Sequence, residues 1–114
     1  MTTQNQQLIT LGDILKSEAD SQSRIAITAP KGTKIGQLVK YEVRKRYLVA
    51  LSDEKDGKVL VQPHNCVINL DFVTEADITD KQTGDEGNTP LTTELFKSEG
   101  DTYGIKYIGT PKNA

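Results

Sequence analysis

The sequence predicts an α+β fold: a small β-rich domain of five to six short strands, one helix in its C-terminal half, and an extended N-terminal arm. Three observations carry that expectation. Short runs of alternating apolar and polar residues recur between turn signals rich in Gly, Pro, Asp and Asn. One late segment carries helix start and stop signals. The first twelve residues hold no charged side chain and pass from amides to aliphatics.

The arm is expected over residues 1–11 and a single domain over residues 12–114. The chain opens MTTQNQQLIT, and its first charge is Asp13. A tail that only solubilises is normally charged. An uncharged arm suits a neighbouring backbone instead. A strand added to a sheet edge takes its hydrogen bonds from the partner's main chain, and Thr, Asn and Gln are tolerated on either face. Ordering each residue costs about 1–2 kcal/mol of backbone entropy, so such an arm orders only where an edge is offered. Gln4, Gln6, Leu8, Ile9 and Leu11 are the candidate contact residues, the three aliphatics serving as anchors.

LGDILKSEAD reads as one helical turn capped by Thr10 or as an extended connector. SRIAITAP places Ile25, Ile27 and Ala29 on one face against Arg24, Ala26 and Thr28 on the other, the pattern of a half-buried strand ended by Pro30. KIGQLVKYEV is the next strand, with Gly36 marking a bulge or a close backbone approach. KRYLVALS is the strongest apolar run. DEKDGK turns at Asp56 and Gly57, and KVLVQP and NCVINLDFV follow as strands. TEADITDKQTGDEGNTP is polar and acidic and reads as a long exposed loop. In TPLTTELFKSEG, Thr89 is the expected N-cap, Pro90 the first helical residue and Gly100 the residue past the end. Leu91, Leu95 and Phe96 then share a face, and YGIKYIG closes the chain as a strand.

The 114 residues suit one domain, and the core is lean: 35% hydrophobic residues, no Trp, two Phe and four Tyr. Such a domain is expected to gain stability from partners. One cysteine allows no intrachain disulfide and points to a reducing compartment. The apolar run at residues 8–11 is too short for a signal peptide, no stretch approaches a membrane span, and production in a cytoplasm is expected. Net charge is −2, which gives no global attraction to nucleic acid. The charge is uneven, however. Residues 24–58 carry nine Lys or Arg against four acids, and residues 71–86 carry six acids against one Lys. Two solvated faces of unlike charge are the preferred expectation, with the orientation of one subunit against another as the alternative.

No catalytic residue, cofactor site or metal site is expected. His64 and Cys66 stand two apart, but a metal centre needs about three or four protein ligands and the chain has no second His or Cys. No G-x-S-x-G nucleophile elbow and no phosphate-binding loop is present. Arg44, Lys45 and Arg46, flanked by Tyr41 and Tyr47, form the one candidate nucleic-acid surface, of the kind a small β-barrel binding module would use. With Glu42 inside this lone cluster, a contact of Arg44 and Arg46 with a subunit or another protein is the preferred expectation.

The order of these pieces resembles the bacteriophage lambda-type head decoration proteins. The matching positions are Gly12, Asp13, Leu15, Lys16, Glu18, Ala19, Ser23, Arg24, Gly32, Thr33 and Gly36. VLVQPHNCVI is similar to that family's late strand, and LTTELFKSEGDTYGIKYIG to its helix and closing strand. The pattern departs at Ser21 and Gln22, where an aromatic is common, and at Ile25, where a Glu is. The resemblance implies a structural protein of the virion, made in the bacterial host cytoplasm and seated on the outer face of the expanded capsid. It implies a homotrimer at three-fold and quasi-three-fold positions, with the arm ordered against the major capsid protein of the same phage. Asp13, Leu15 and Arg24 then form the step from arm to domain. It implies no catalysis, no cofactor, no nucleic acid and no membrane partner.

Overall fold

The computed structural model describes residues 8–113. Its architecture is α+β, with three α-helices and nine strands among those residues. The chain enters through one helical turn, α1 (Leu11–Ile14), which runs directly into strand β1 (Leu15–Glu18). Turn and connector therefore follow one another. The Thr10 N–H donates to Asp13 Oδ2 at 2.8 Å, one half of a capping box.

Strand β2 (Ile25–Thr28) pairs antiparallel with β5 (Lys58–Val61), and β3 (Leu38–Tyr41) with β4 (Arg46–Val49). The alternation seen in SRIAITAP is the burial pattern: Ile27 and Ala29 are buried, Ala26 and Thr28 exposed. Gly36 is both bulge and close approach. Its φ is 93°, its N–H donates to Ala50 O, and Ala50 N–H donates to Gln37 O, both at 2.8 Å, so two residues oppose one. A Cβ there would sit 3.4 Å from Phe72 O. Asp56 and Gly57 have φ of 55° and 82°, the doubly left-handed geometry of a tight hairpin turn.

Strand β6 (Cys66–Asn69) is the centre of a three-stranded sheet, antiparallel to β1 and parallel to β9 (Ile105–Ile108). A parallel pair needs a long crossover, and residues 70–104 provide it. The crossover contains α2 (Glu75–Thr79), the short hairpin β7 (Gln82–Thr83) and β8 (Thr89–Pro90), and α3 (Thr93–Asp101).

Three expectations are corrected in this crossover. The acidic stretch read as loop contains α2, whose N-cap Thr74 accepts a hydrogen bond from Asp77 N–H at 3.2 Å. Only Ile78 of that helix is buried, so it has no apolar stripe to betray it. Thr89 and Pro90 do not start α3. They form β8 opposite Thr83 and Gln82, and the ladder continues with Leu91 N–H donating to Lys81 O at 3.0 Å. The helix begins after that bond, capped by Thr92, whose Oγ1 accepts from Leu95 N–H at 3.1 Å. Gly100 lies inside α3, not past it. A Cβ at Gly100 would stand 2.5 Å from Tyr107 Cε2 and 2.9 Å from Ile105 O, so helix and strand approach too closely for any side chain.

That close approach seats Phe96 on Tyr107, ring centroids 4.4 Å apart and planes tilted by 31°. Phe96 and Leu91 are each 1% exposed, while Leu95 is half-buried. Phe96→Ala is expected to destabilise the domain by about 3–5 kcal/mol through lost burial and the cavity left behind. Leu95→Ala is expected to cost less. Denaturant midpoints of the two variants against the parent chain provide the check.

Candidate functional site

Two polar constellations stand out, one where the chain enters the domain and one at the basic hairpin. At the first, Leu8 is 87% exposed, whereas Ile9 and Leu11 are partly buried against the core. Leu11, expected in the arm, instead opens α1. Gln4 and Gln6 lie outside the described residues. Asp13 works twice: its side chain takes the Thr10 N–H, and its carbonyl accepts from Asn69 Nδ2 at 3.2 Å. Leu15 is buried and paired with Ile68 of β6.

Glu18 and Arg24 bracket a short 3-10 turn (Ser21–Ser23) and meet across it. Arg24 Nε lies 3.0 and 3.1 Å from the two Glu18 oxygens, and its Nη2 donates to Glu18 Oε1. Gln62, 3% exposed, ties the unit to β5. Its Nε2 donates to Glu18 Oε2 at 2.8 Å and to Asp20 O at 3.2 Å, and its Oε1 accepts from Ser23 Oγ at 3.1 Å. Asp20 caps the turn by accepting from Gln22 N–H at 2.9 Å. The Arg24 bond, outweighing the effect of burial, holds the Glu18 carboxyl below its ordinary range, and the Arg24 guanidinium is raised in turn. Gln62 was missed from the sequence because nothing local marks a lone amide as a hub.

At the second constellation the arginines are turned inward. Arg44 lies over the Tyr103 ring with its guanidinium carbon 3.8 Å from the centroid and also faces Tyr41 at 5.4 Å. Its Nη1 donates to Pro63 O. Arg46 Nε lies 3.3 Å from Glu99 Oε2, which also accepts from the Thr83 hydroxyl at 2.8 Å, and Arg46 Nη2 is 3.5 Å from exposed Asp85. Each cation is thus spent on the domain's own aromatics and acids. Lys45, at φ 56° on the turn, is the exposed cation of the cluster.

His64 lies before β6, and Cys66 is its first residue. Asn65 between them has φ 55°, which breaks the strand alternation. Cys66 is buried, and burial, the largest cause, pushes its thiol up to about 11. It is therefore protonated and unreactive at neutral pH. Among the described residues, no group of three His, Cys, Asp or Glu side chains converges as a metal site. Also among them, no helix is long and apolar enough to cross a membrane. No known protein family, curated protein or solved structure matches the chain.

Glu18, and likewise Glu54, which accepts the N–H groups of Gly32 at 3.0 Å and Gly57 at 2.7 Å, have folded-state pKa values lowered from 4.5. A lowered carboxyl contributes stability above its unfolded pKa and loses it as the pH falls through the folded value. The melting temperature is therefore expected to decline below about pH 4.5. Glu18→Gln is expected to be less stable at neutral pH and to show a flatter acid limb. Thermal melts of both proteins from neutral to strongly acidic pH read this directly.

Proposed function

We propose that this chain is a structural capsid decoration protein of a bacteriophage. In this reading it binds the outer face of the expanded head as a homotrimer at three-fold and quasi-three-fold sites, and its N-terminal arm adds a strand to the major capsid protein. The observation that carries the reading is the joint behaviour of the resembling residues at the chain's start. Asp13, Leu15, Glu18 and Arg24 are bonded or packed into one anchored unit, and Leu8 stands in water just before it. A firm anchor followed outward by an exposed aliphatic suits an arm that finds its partner outside the domain. A cement protein also has to resist disruption without chemistry, and the inward-turned charges serve that need.

The competing reading, a nucleic-acid module using Arg44 and Arg46, is weakened by the same geometry. A phosphate contact would have to displace Arg44 from Tyr103 and Pro63 and Arg46 from Glu99. Ile9 and Leu11 pack on the core, so the informative truncation removes residues 1–7 only.

That truncated protein is expected to keep its circular dichroism and melting temperature, yet to lose cosedimentation with expanded empty heads of the cognate phage. The full chain is expected to bind expanded heads and not unexpanded procapsids. Full decoration by the truncated protein would remove the arm's role. DNA or RNA binding at physiological salt, abolished by Arg44→Ala with Arg46→Ala and steeply salt-dependent, would favour the competing reading.

A further inference from the structure

Two sheet edges in this domain are left without partners, and they border one groove. Strand β2 pairs only with β5, and β3 only with β4, among the described residues. Ala29 N–H donates to Gly57 O at 2.9 Å, so Ile25 and Ile27 bond toward β5 while Ala26 and Thr28 turn their N–H and C=O groups the other way. On β3 the bulge at Gly36 sets the alternation. Val39 and Tyr41 bond toward β4, and Leu38 and Lys40 point away. The outward N–H of Leu38 is taken by Asp77 Oδ2 at 2.6 Å. Those of Ala26, Thr28 and Lys40 have no such partner among the described residues. The end of β2 and the length of β3 line a groove of about 750 Å³, with Ala29, Leu38, Val39 and Tyr47 as its apolar lining. Of its charged lining, Lys81 is paired with Asp77 at 2.8 Å, while Lys31, Lys40 and one acid, Glu42, make no ion pair among the described residues. Unpaired edges of this kind invite a further strand or an unwanted copy, so a cover is needed.

The same chain carries a complementary element. The turn of the β7–β8 hairpin, residues 84–87, presents Asp85 and Glu86 between two glycines at φ 93° and 69°, closed by Gly87 N–H donating to Gly84 O at 3.0 Å. The Asp85 side chain is 93% exposed, and its one ion pair, to Arg46, is long at 3.5 Å. The hairpin base is held by the Thr83–Glu99 bond and by Leu91 on Lys81. Neither Asp85 nor Glu86 lines the groove of the same chain.

We infer that the groove between β2 and β3 receives the acidic β7–β8 tip of a second copy of this chain, with Asp85 and Glu86 set against Lys31 and Lys40. The contact joins two different surfaces, so it is head-to-tail and makes a ring when the rotation closes. That the ring closes at three rests on the capsid-trimer reading above. The contact uses two lysines of the basic stretch 24–58 and the last two acids of the acidic stretch 71–86.

The test uses the full chain and three variants: Lys31→Glu with Lys40→Glu, Asp85→Lys with Glu86→Lys, and all four changes together. Each reverses exposed or half-exposed charges, and circular dichroism confirms folding. Sedimentation equilibrium is expected to show self-association of the parent, weakened about tenfold or more in either double variant and restored in the fourfold swap. Carbodiimide treatment of mixed light and heavy-isotope parent protein is expected to join Lys31 or Lys40 to Asp85 or Glu86 between copies. A parent chain that stays monomeric at every concentration overturns the inference, as does unchanged association in the double variants or a swap that fails to rescue. Decoration of heads is read separately. A swap variant that self-associates and leaves heads bare counts against the capsid reading alone, and trimers indifferent to these charges count against this contact alone.

Discussion

The parallel pairing of β6 with β9 is the constraint on which the rest of the domain depends. Cys66 to Asn69 stand beside Ile105 to Ile108 in register, and on its other side β6 holds β1. One four-residue strand thereby joins the chain's entry, its middle and its end. Parallel strands cannot be joined by a tight turn. The intervening chain has to leave the sheet, cross it and return, which obliges residues 70–104 to fold as one connected unit. The cover they make, α3, must lie close enough to β9 for Phe96 to stack on Tyr107, and Gly100 is where that closeness is greatest. The crossover is also fastened at its far side, where Lys112 and Val73 bond through their main chains.

With so lean a core, polar groups do more of the positioning than they usually do. An exposed ion pair contributes about 0–1 kcal/mol, and a cation over an aromatic face about 0.5–2 kcal/mol. No single one of these would hold a domain. They matter here through what they connect. Glu18, Arg24 and Gln62 bind the entry strand to β5 across 44 residues of sequence. Arg44 bridges the hairpin turn to Tyr103 and Pro63, and Arg46 bridges it to Glu99 of α3. These contacts orient the ladders relative to the three-stranded sheet, a task that weakly patterned strands of four residues cannot perform alone.

The same arrangement divides the surface by purpose. Arg44 and Arg46 are held by the domain's own groups, while Lys31, Lys40 and the outward N–H groups of Thr28 and Lys40 have no partner at the groove among the described residues. Under the proposed capsid reading that balance is useful. Backbone edges give affinity to an extended partner with little dependence on its sequence, and alternate side chains and nearby charges select the partner and its register. The capsid reading and the proposed contact between copies both draw on edges and arms, not on a reactive centre.

The sequence alone determined the α+β class, the places of the short strands, a special backbone role for Gly36 and the turn at Asp56 and Gly57. Each of these is set by residues within a few positions of one another: alternation by the period of a strand, and turns by which residues accept positive φ. The motif residues Asp13, Leu15, Glu18 and Arg24 were legible at the entry, but their bonding was not, because Gln62 arrives from far along the chain. The limits of α3 were likewise beyond local signals. Thr89 and Pro90 look like a helix start until Thr83 and Lys81 claim that stretch for a ladder. Gly100 looks like a helix stop until β9 shows why a side chain cannot fit there. The internal bonding of the basic hairpin was equally out of local reach, since only the tertiary structure brings Tyr103 and Glu99 to Arg44 and Arg46. Pairing across long separations is decided by which surfaces meet, and a linear pattern of residue types does not encode that meeting.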